Sequence, residues 1–363
     1  MTVAPRHRAL LELTHLPTVA GREDRVIAWV ERWARRRRDV RLRRDRVGNL
    51  LLGSAHRRRR DPVVAVAHMD HPGFVIEGLA GRTVTASFLG GVKAAYFESA
   101  RVEWFDGAGA SHRGRAVGHD PETGTTEVVL DRTAPLASGD LGRWWFPARS
   151  LGPSGDRLRA PGCDDLAGVA AVLAALDRTR RDPALAHFGV LLTRGEEEGL
   201  LGAVGACREG ALPPTARILS VETSRSFADS PLGAGPVVRV GDAATVFSAP
   251  LTNRITEIAR SAGRPFQRKL MAGGTCEASA FVAFGLDATG LCLPLENYHN
   301  MADIDGVAAG TVAARLSPEE ISLADFDGLV ALLVEIARSI DGPSVSLADQ
   351  LSALFEEKRH LLG

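Results

Sequence analysis

What this chain lacks narrows its chemistry before any motif is read. It carries four scattered cysteines, Cys163, Cys207, Cys276 and Cys292, with no C-x-x-C pair among them. That excludes a disulfide scaffold and a cysteine-built structural zinc site. No apolar run approaches the ~20 residues that span a bilayer, and the opening MTVAPRHRALLEL lacks the apolar centre of a signal peptide. A soluble, cytoplasmic protein with no membrane partner is expected. Neither charge is in excess: Lys+Arg 44 balances Asp+Glu 44, and lysine occurs only as Lys93, Lys269 and Lys358. Without a whole-chain field, nucleic acid is not an expected partner. The arginine runs 35–38 and 57–60 have no stacking aromatics beside them and read as a helix end and a loop tip. Also missing are a G-x-S-x-G nucleophile elbow, a Walker loop and a G-x-G-x-x-G after the first strand.

What is present is a chain of 363 residues, too long for one average core. Two domains, or one large α/β domain with an insertion, are expected. Residues 5–16 and 22–38 have helical spacing, with Val26, Ile27, Val30 and Trp33 on one face of the second. Short strands follow at 47–53 and 62–67. From about 77 to 155 the texture changes to β-rich pieces (83–88, 100–105, 127–130) separated by turns with Gly and Asp. In that stretch His112, His119, Asp120 and Glu122 read as turn and surface residues, and Trp144, Trp145 and Phe146 as core or a subunit contact. Thereafter strands and helices alternate. Strands are expected at 187–193, 217–221, 266–270 and 287–293. Helices are expected after Asp165 and at 200–209, 249–262, 323–340 and 347–362, the last two closing the domain.

The chemistry-bearing residues fall where buried strands run out. One strand runs into His68-Met69-Asp70, whose first and third residues share a face if the strand continues. Asp164 and Asp165 precede the apolar run 168–176; one helix cap needs one carboxylate, which leaves the second unexplained. Glu196, Glu197 and Glu198 sit between two glycines after another strand, more acids than a helix N-terminus requires. Glu222 ends a third strand, and the loop LENYHN carries His299. In a mostly parallel sheet the strand C-termini gather on one edge. Two imidazoles and several carboxylates meeting there, without thiolate, suit Zn²⁺, Co²⁺ or Mn²⁺. Acids packed so closely need compensating cations, and their number fits two ions sharing one carboxylate.

In order and spacing, AHMDHPGF, GCDDLAG, GEEEGLLGA and the GGT…LPLENYHN region resemble the dinuclear metalloaminopeptidases of the glutamyl-aminopeptidase and tetrahedral-aminopeptidase family, some of them labelled endoglucanases, within the clan of co-catalytic zinc exopeptidases. The resemblance covers nearly the whole chain. It implies an α/β fold with a mixed, mostly parallel sheet flanked by helices. The catalytic domain would be 1–76 with 156–363, and 77–155 an inserted, small β-barrel-like domain. It implies two divalent metal ions per subunit, Zn²⁺ with Co²⁺ or Mn²⁺ as alternatives. Asp164 would bridge them, His68 and Glu222 would complete one site, and Glu197 and His299 the other. Glu196 would be the general base and Asp70 would orient His68. A cis Asp164–Asp165 bond is implied as well. The chain departs from the family at Glu222, where Asp is usual, at His71-Pro72, at Cys276-Glu277 and just before His299. The implied function is hydrolysis of N-terminal residues from short peptides by a homo-oligomer assembled through the insertion. The alternatives are a related amide hydrolase of the clan, an N-acyl amino-acid deacylase or carboxypeptidase, and an inactive scaffold.

Overall fold

A computed structural model describes residues 5–344 and 347–362 of the chain. Helices α1 (Arg8–Thr14) and α2 (Asp24–Arg35) precede strands β1 (Val40–Arg44), β2 (Leu50–Ser54) and β3 (Val63–His68). Six strands follow: β4 (Gly73–Ala80), β5 (Thr83–Leu89), β6 (Arg101–Phe105), β7 (Ser111–His119), β8 (Thr125–Leu130) and β9 (Leu141–Trp144). The chain returns through β10 (Gly152–Ser154) and β11 (Arg157–Ala160) to α3 (Leu166–Thr179), β12 (Phe188–Thr193), α4 (Leu201–Arg208) and β13 (Arg217–Arg225). Next come β14 (Val237–Asp242), α5 (Ala249–Ser261), β15 (Gln267–Met271), α6 (Glu277–Ala283) and β16 (Asp287–Leu295). The chain finishes with β17 (Met301–Ala302), α7 (Ile304–Ala308), β18 (Arg315–Leu316), β19 (Glu319–Ser322), α8 (Leu323–Ser339) and α9 (Leu347–Lys358).

The main sheet has eight strands in the order β1-β2-β12-β3-β13-β16-β14-β15. Its centre, β12-β3-β13-β16, is parallel, while β2 and β14 join it antiparallel on either side. Central strands covered on both faces must be apolar throughout, and β3 is buried at every position. One cover is α3, whose small and branched residues are buried on nearly all sides, against the sheet, α1 and α8. An all-round apolar helix is stable only in such a place. The six strands β4 to β9 close into an antiparallel barrel around Phe74, Phe97, Trp104 and Trp144. Among the described residues no helix is long and apolar enough to cross a membrane.

Several elements differ from the sequence reading. Helix α2 stops at Arg35, and the arginine-rich stretch after it becomes β1 at the sheet edge, where its side chains stay exposed or half-buried. β14 has no counterpart in that reading, because Arg239 interrupts its apolar pattern. His112 and His119 lie on β7 rather than in turns; His112 pairs with Asp106 at 2.8 Å and His119 stacks on Phe97 with ring centres 3.5 Å apart. Trp144 is barrel core. The expected closing helix α9 closes nothing: none of its residues is buried, and Leu347, Leu351, Leu354 and Phe355 are exposed.

A glycine marks where the fold presses hardest on the loop after β12. A Cβ on Gly202 would lie 2.5 Å from the backbone nitrogen of Arg194 and 2.6 Å from its carbonyl oxygen. Alanine in a helix gains up to about 1 kcal/mol over glycine. Here the clash is with backbone that cannot rotate away, and overpacking of that kind costs about 1–3 kcal/mol. Gly202→Ala is therefore expected to lower the unfolding free energy, measured by urea denaturation, with an unchanged or raised midpoint refuting the reading.

Candidate metal centre

The parallel register brings the strand ends to one level. His68 ends β3 opposite Thr193, the last residue of β12, and the turn beyond carries Glu196 and Glu197. β13 pairs with β3 through Ser220 and Val66, so Glu222 lies level with His68. Glu222 does not end its strand as expected; β13 continues to Arg225. His299 follows β16 on a tight turn with φ of 54°, next to Asn297 and Asn300, also at positive φ. Asp164 arrives differently. Its strand, β11, belongs to a separate three-stranded sheet, β10-β11-β19, and the Asp164–Asp165 peptide is cis.

The side chains converge on the two oxygens of Asp164. His68 Nε2 lies 3.4 Å from Asp164 Oδ1, 3.7 Å from Glu222 Oε2 and 3.8 Å from Glu196 Oε2. His299 Nε2 lies 3.4 Å from Asp164 Oδ2 and 3.2 Å from Glu197 Oε1. Three groups of donor atoms lie within 4.8 Å of one another: His68–Asp164–Glu222, Asp164–Glu197–His299 and His68–Glu196–Glu197. All of these are buried or nearly so.

The arrangement passes a chemical test for a cation. Buried polar atoms almost always have hydrogen-bond partners, yet Asp164 Oδ1, Glu197 Oε1 and His299 Nε2 have none. Two ligands each about 2.1 Å from one tetrahedral ion stand roughly 3.4 Å apart. The spacings above are close to that, and all but His299–Glu197, at 3.2 Å, exceed the usual hydrogen-bond range. The tautomers agree. Nδ1 of His299 donates to the carbonyl of Gly91 at 2.8 Å, and Nδ1 of His68 to that of Asp70 at 3.2 Å. Each leaves an Nε2 lone pair facing the acids, the form a metal requires. Charge is unbalanced without a cation. Burial, with Glu222 and Glu197 nearby, pushes the Glu196 carboxyl well up despite the opposing pull of His68. Burial pulls His68 and His299 down, and the surrounding carboxylates more than reverse that.

Asp70 sits beside His68 with its carboxylate 3.6 Å from Nδ1. Its two oxygens accept the backbone N–H groups of Glu196 and Glu197, both at 3.1 Å. Sequence reasoning missed two residues of this kind. Glu319, fully buried on β19, accepts the N–H of Cys163 at 2.5 Å, of Asp164 at 3.0 Å and of His299 at 2.9 Å. His71 is buried with Nδ1 2.5 Å from the Asp164 carbonyl. Of the unusual pair Cys276-Glu277, Cys276 lines the cavity beside the centre, whereas Glu277 lies buried with its carboxyl pushed up to about 8, first by burial and then by Glu222.

Glu319 yields a direct test. In Glu319→Gln one accepting oxygen becomes an NH₂ that opposes a backbone donor. An unmade buried hydrogen bond of this type costs about 1–3 kcal/mol. Scanning calorimetry is expected to show a lower melting temperature, and dialysis against chelator a faster loss of bound metal than in the parent protein. Unchanged melting and metal retention would refute the role.

Residues 144–311 match the family model described as M42 glutamyl aminopeptidase. No curated protein is matched by the sequence. The fold is similar to that of a TET aminopeptidase from a marine-sediment Thaumarchaeota archaeon, with a TM-score of 0.77 at 18% identity over 93% of this chain and 98% of that one. It is similar to the Pyrococcus horikoshii TET1 peptidase, with a TM-score of 0.75 at 20% identity over 92% and 99%. An aminopeptidase of Desulfurococcus kamchatkensis gives 0.73 at 20% over 94% and 99%. The likeness runs through both the main sheet and the barrel. Through residues 144–311, on a fold shared with these aminopeptidases, the chain is matched to the M42 glutamyl aminopeptidases, hydrolases that act as peptidases.

Proposed function

We propose that this protein is a metal-dependent aminopeptidase that removes N-terminal residues from short peptides. The observation that carries the reading is the pair of ligand trios, His68–Asp164–Glu222 and Asp164–Glu197–His299, meeting at the two oxygens of one aspartate. In this reading two divalent cations, Zn²⁺ first, with Co²⁺ and Mn²⁺ as alternatives, would be held with Asp164 in common. His68 and Glu222 would complete one site, Glu197 and His299 the other. Glu222 takes the place usually held by aspartate, and a glutamate oxygen there lies 3.7 Å from His68 Nε2. When bound, such cations polarise a peptide carbonyl and lower the pKa of a shared water.

The chain's own residues supply the rest. Glu196 lies beside both trios and is the general base; it takes the proton from the attacking water and delivers it to the leaving amine. Asp70 holds the Glu196 and Glu197 backbone in place and keeps His68 in the right tautomer. The complete ligand set together with Glu196 weighs against an inactive scaffold. The inserted domain, expected over residues 77–155, takes in the barrel, whose first strand already starts at Gly73, and we assign assembly of a homo-oligomer to it. The Pyrococcus horikoshii TET1 peptidase, on the same fold, can assemble into a tetrahedron or a large octahedral shell. Four free cysteines accord with a cytoplasmic, reducing setting.

Glu196→Gln removes the base and leaves the five ligands. Turnover of aminoacyl amides with added Zn²⁺, Co²⁺ or Mn²⁺ is expected to fall by about 10²–10⁴-fold, with metal content unchanged by elemental analysis. Unchanged turnover would remove Glu196 from this role. A panel of free-amine and N-acylated substrates separates the aminopeptidase from a deacylase or carboxypeptidase.

A further inference from the structure

Two cavities meet at the edge of the main sheet opposite the metal centre. Strands β3 and β12 run from this edge to the metal side over six residues each, roughly 16 Å. The smaller cavity, about 430 Å³, is lined by His56, Arg57, Arg59, Arg60, His187 and the turn at Pro183. The larger, about 1060 Å³, shares His56, Arg57 and His187 with it and adds Arg41, Arg43 and Arg58. Among the described residues no carboxylate lines either one. The larger cavity has a bare floor. Gly53 of β2 and Gly189 of β12 face each other in register. A Cβ on Gly53 would meet nothing within 4 Å, and one on Gly189 only the Leu52 carbonyl oxygen at 3.3 Å.

The buried member of this cluster is His187, which is 2% exposed. Neither of its ring nitrogens has a hydrogen-bond partner of normal geometry, although the backbone of Ala184 and Ala337 lies nearby. Buried polar atoms seldom stay unused, and this ring stands in the wall that both cavities share. Burial, with Arg60 beside it, pulls the imidazole down, so at neutral pH it offers one N–H donor and one lone pair. The acids nearby are engaged. Asp341 holds Arg217 at 2.6 Å and stands 3.8 Å from Arg60, and Asp182 accepts the N–H of Ala184 at 2.9 Å. Arg57, Arg58 and Arg59 have no ion pair among the described residues. Arginines on an edge strand deter edge-to-edge pairing. That role covers Arg41 and Arg43 on β1; it does not account for a buried imidazole with both nitrogens idle.

We propose that His187, Arg57 and Arg59 form a phosphate-binding site, remote from the metal centre. A guanidinium fork grips two phosphate oxygens at once, and a neutral imidazole donates to a third. Both cavities have the size of small-ligand pockets. Two sources share this chemistry: free inorganic phosphate, held in the smaller cavity, and a nucleotide whose flat ring lies on the glycine floor of the larger one. The proposal does not depend on the peptidase reading.

Calorimetric titration of the zinc-loaded protein in 0.15 M NaCl, near physiological ionic strength, tests it with inorganic phosphate, AMP and adenosine. Saturable binding of phosphate or AMP with Kd below about 1 mM is expected, with adenosine silent. AMP at least tenfold tighter than phosphate identifies the nucleotide as the source; equal affinities identify phosphate itself. Arg57→Ala/Arg59→Ala changes only exposed loop side chains and should weaken binding at least about tenfold. His187→Phe keeps a ring of similar size without its nitrogens and should weaken binding at least threefold, a loss that a diffuse basic surface would not show. If His187→Phe fails to fold, the arginine pair decides. No saturable binding to the parent protein overturns the proposal. So does undiminished binding in the arginine variant, the result expected if phosphate sits on the metal ions. A single-stranded oligonucleotide that binds more tightly the longer it is, with phosphate and AMP both silent, overturns it in favour of a nucleic-acid surface.

Discussion

Buried negative charge is the constraint on which the rest of this structure depends. Asp164, Glu196, Glu197 and Glu222 are held together with only two imidazoles between them. Ions of one sign do not stay packed in a low-dielectric interior unless something compensates them. Most of the donor atoms are spaced for shared cations better than for hydrogen bonds. The parallel strands, the all-apolar α3 and the small side sheet are arranged so that this crowd meets at one edge.

A second layer of carboxylates holds the first without touching the proposed metals. Glu23, at the start of α2, accepts the N–H of Gly195 at 3.1 Å and pairs with Arg194 at 2.7 Å. Asp70 accepts the next two N–H groups, those of Glu196 and Glu197. Glu319 accepts those of Cys163, Asp164 and His299. Each ligand-bearing turn is irregular backbone whose N–H groups have no strand or helix partner. A carboxylate accepts several donors at once, which a neutral side chain does less well. Negative charge at the centre is thus positioned by negative charge behind it, and backbone dipoles separate the two.

This division explains what could be read from the amino-acid order. His68, Asp164, Glu196, Glu197, Glu222 and His299 each follow or interrupt a buried apolar run, so their polarity is conspicuous, and the structure brings all of them together. The alternation of strands and helices around them is equally plain. Glu319 lies in SPEEIS, a short polar stretch on a three-stranded side sheet, where two adjacent acids look like surface. Its function comes from pairing with β11, a contact more than 150 residues away along the chain. β14 hid for the opposite reason: Arg239, a charged residue inside VVRVGD, weakens the strand signal although it is buried beside Gly290. α9 misled because helical periodicity reports an apolar face and says nothing of what, if anything, covers it.

The barrel reaches the centre directly. The carbonyl of Gly91, in the loop after β5, sets the tautomer of His299. The N–H of Gly90 bonds Glu198 at 2.8 Å, and the Tyr96 hydroxyl bonds the carbonyl of Ala302 at 2.7 Å. The segment that follows His299 is therefore clamped between the main sheet and the barrel. Of the two trios, Asp164–Glu197–His299 depends on that clamp, whereas His68–Asp164–Glu222 is built from β3, β13 and the α3 turn alone. A force that shifts the barrel, such as assembly through it, acts on one half of the centre and spares the other. The shared carboxylate of Asp164, anchored by Glu319, is where the two halves must agree.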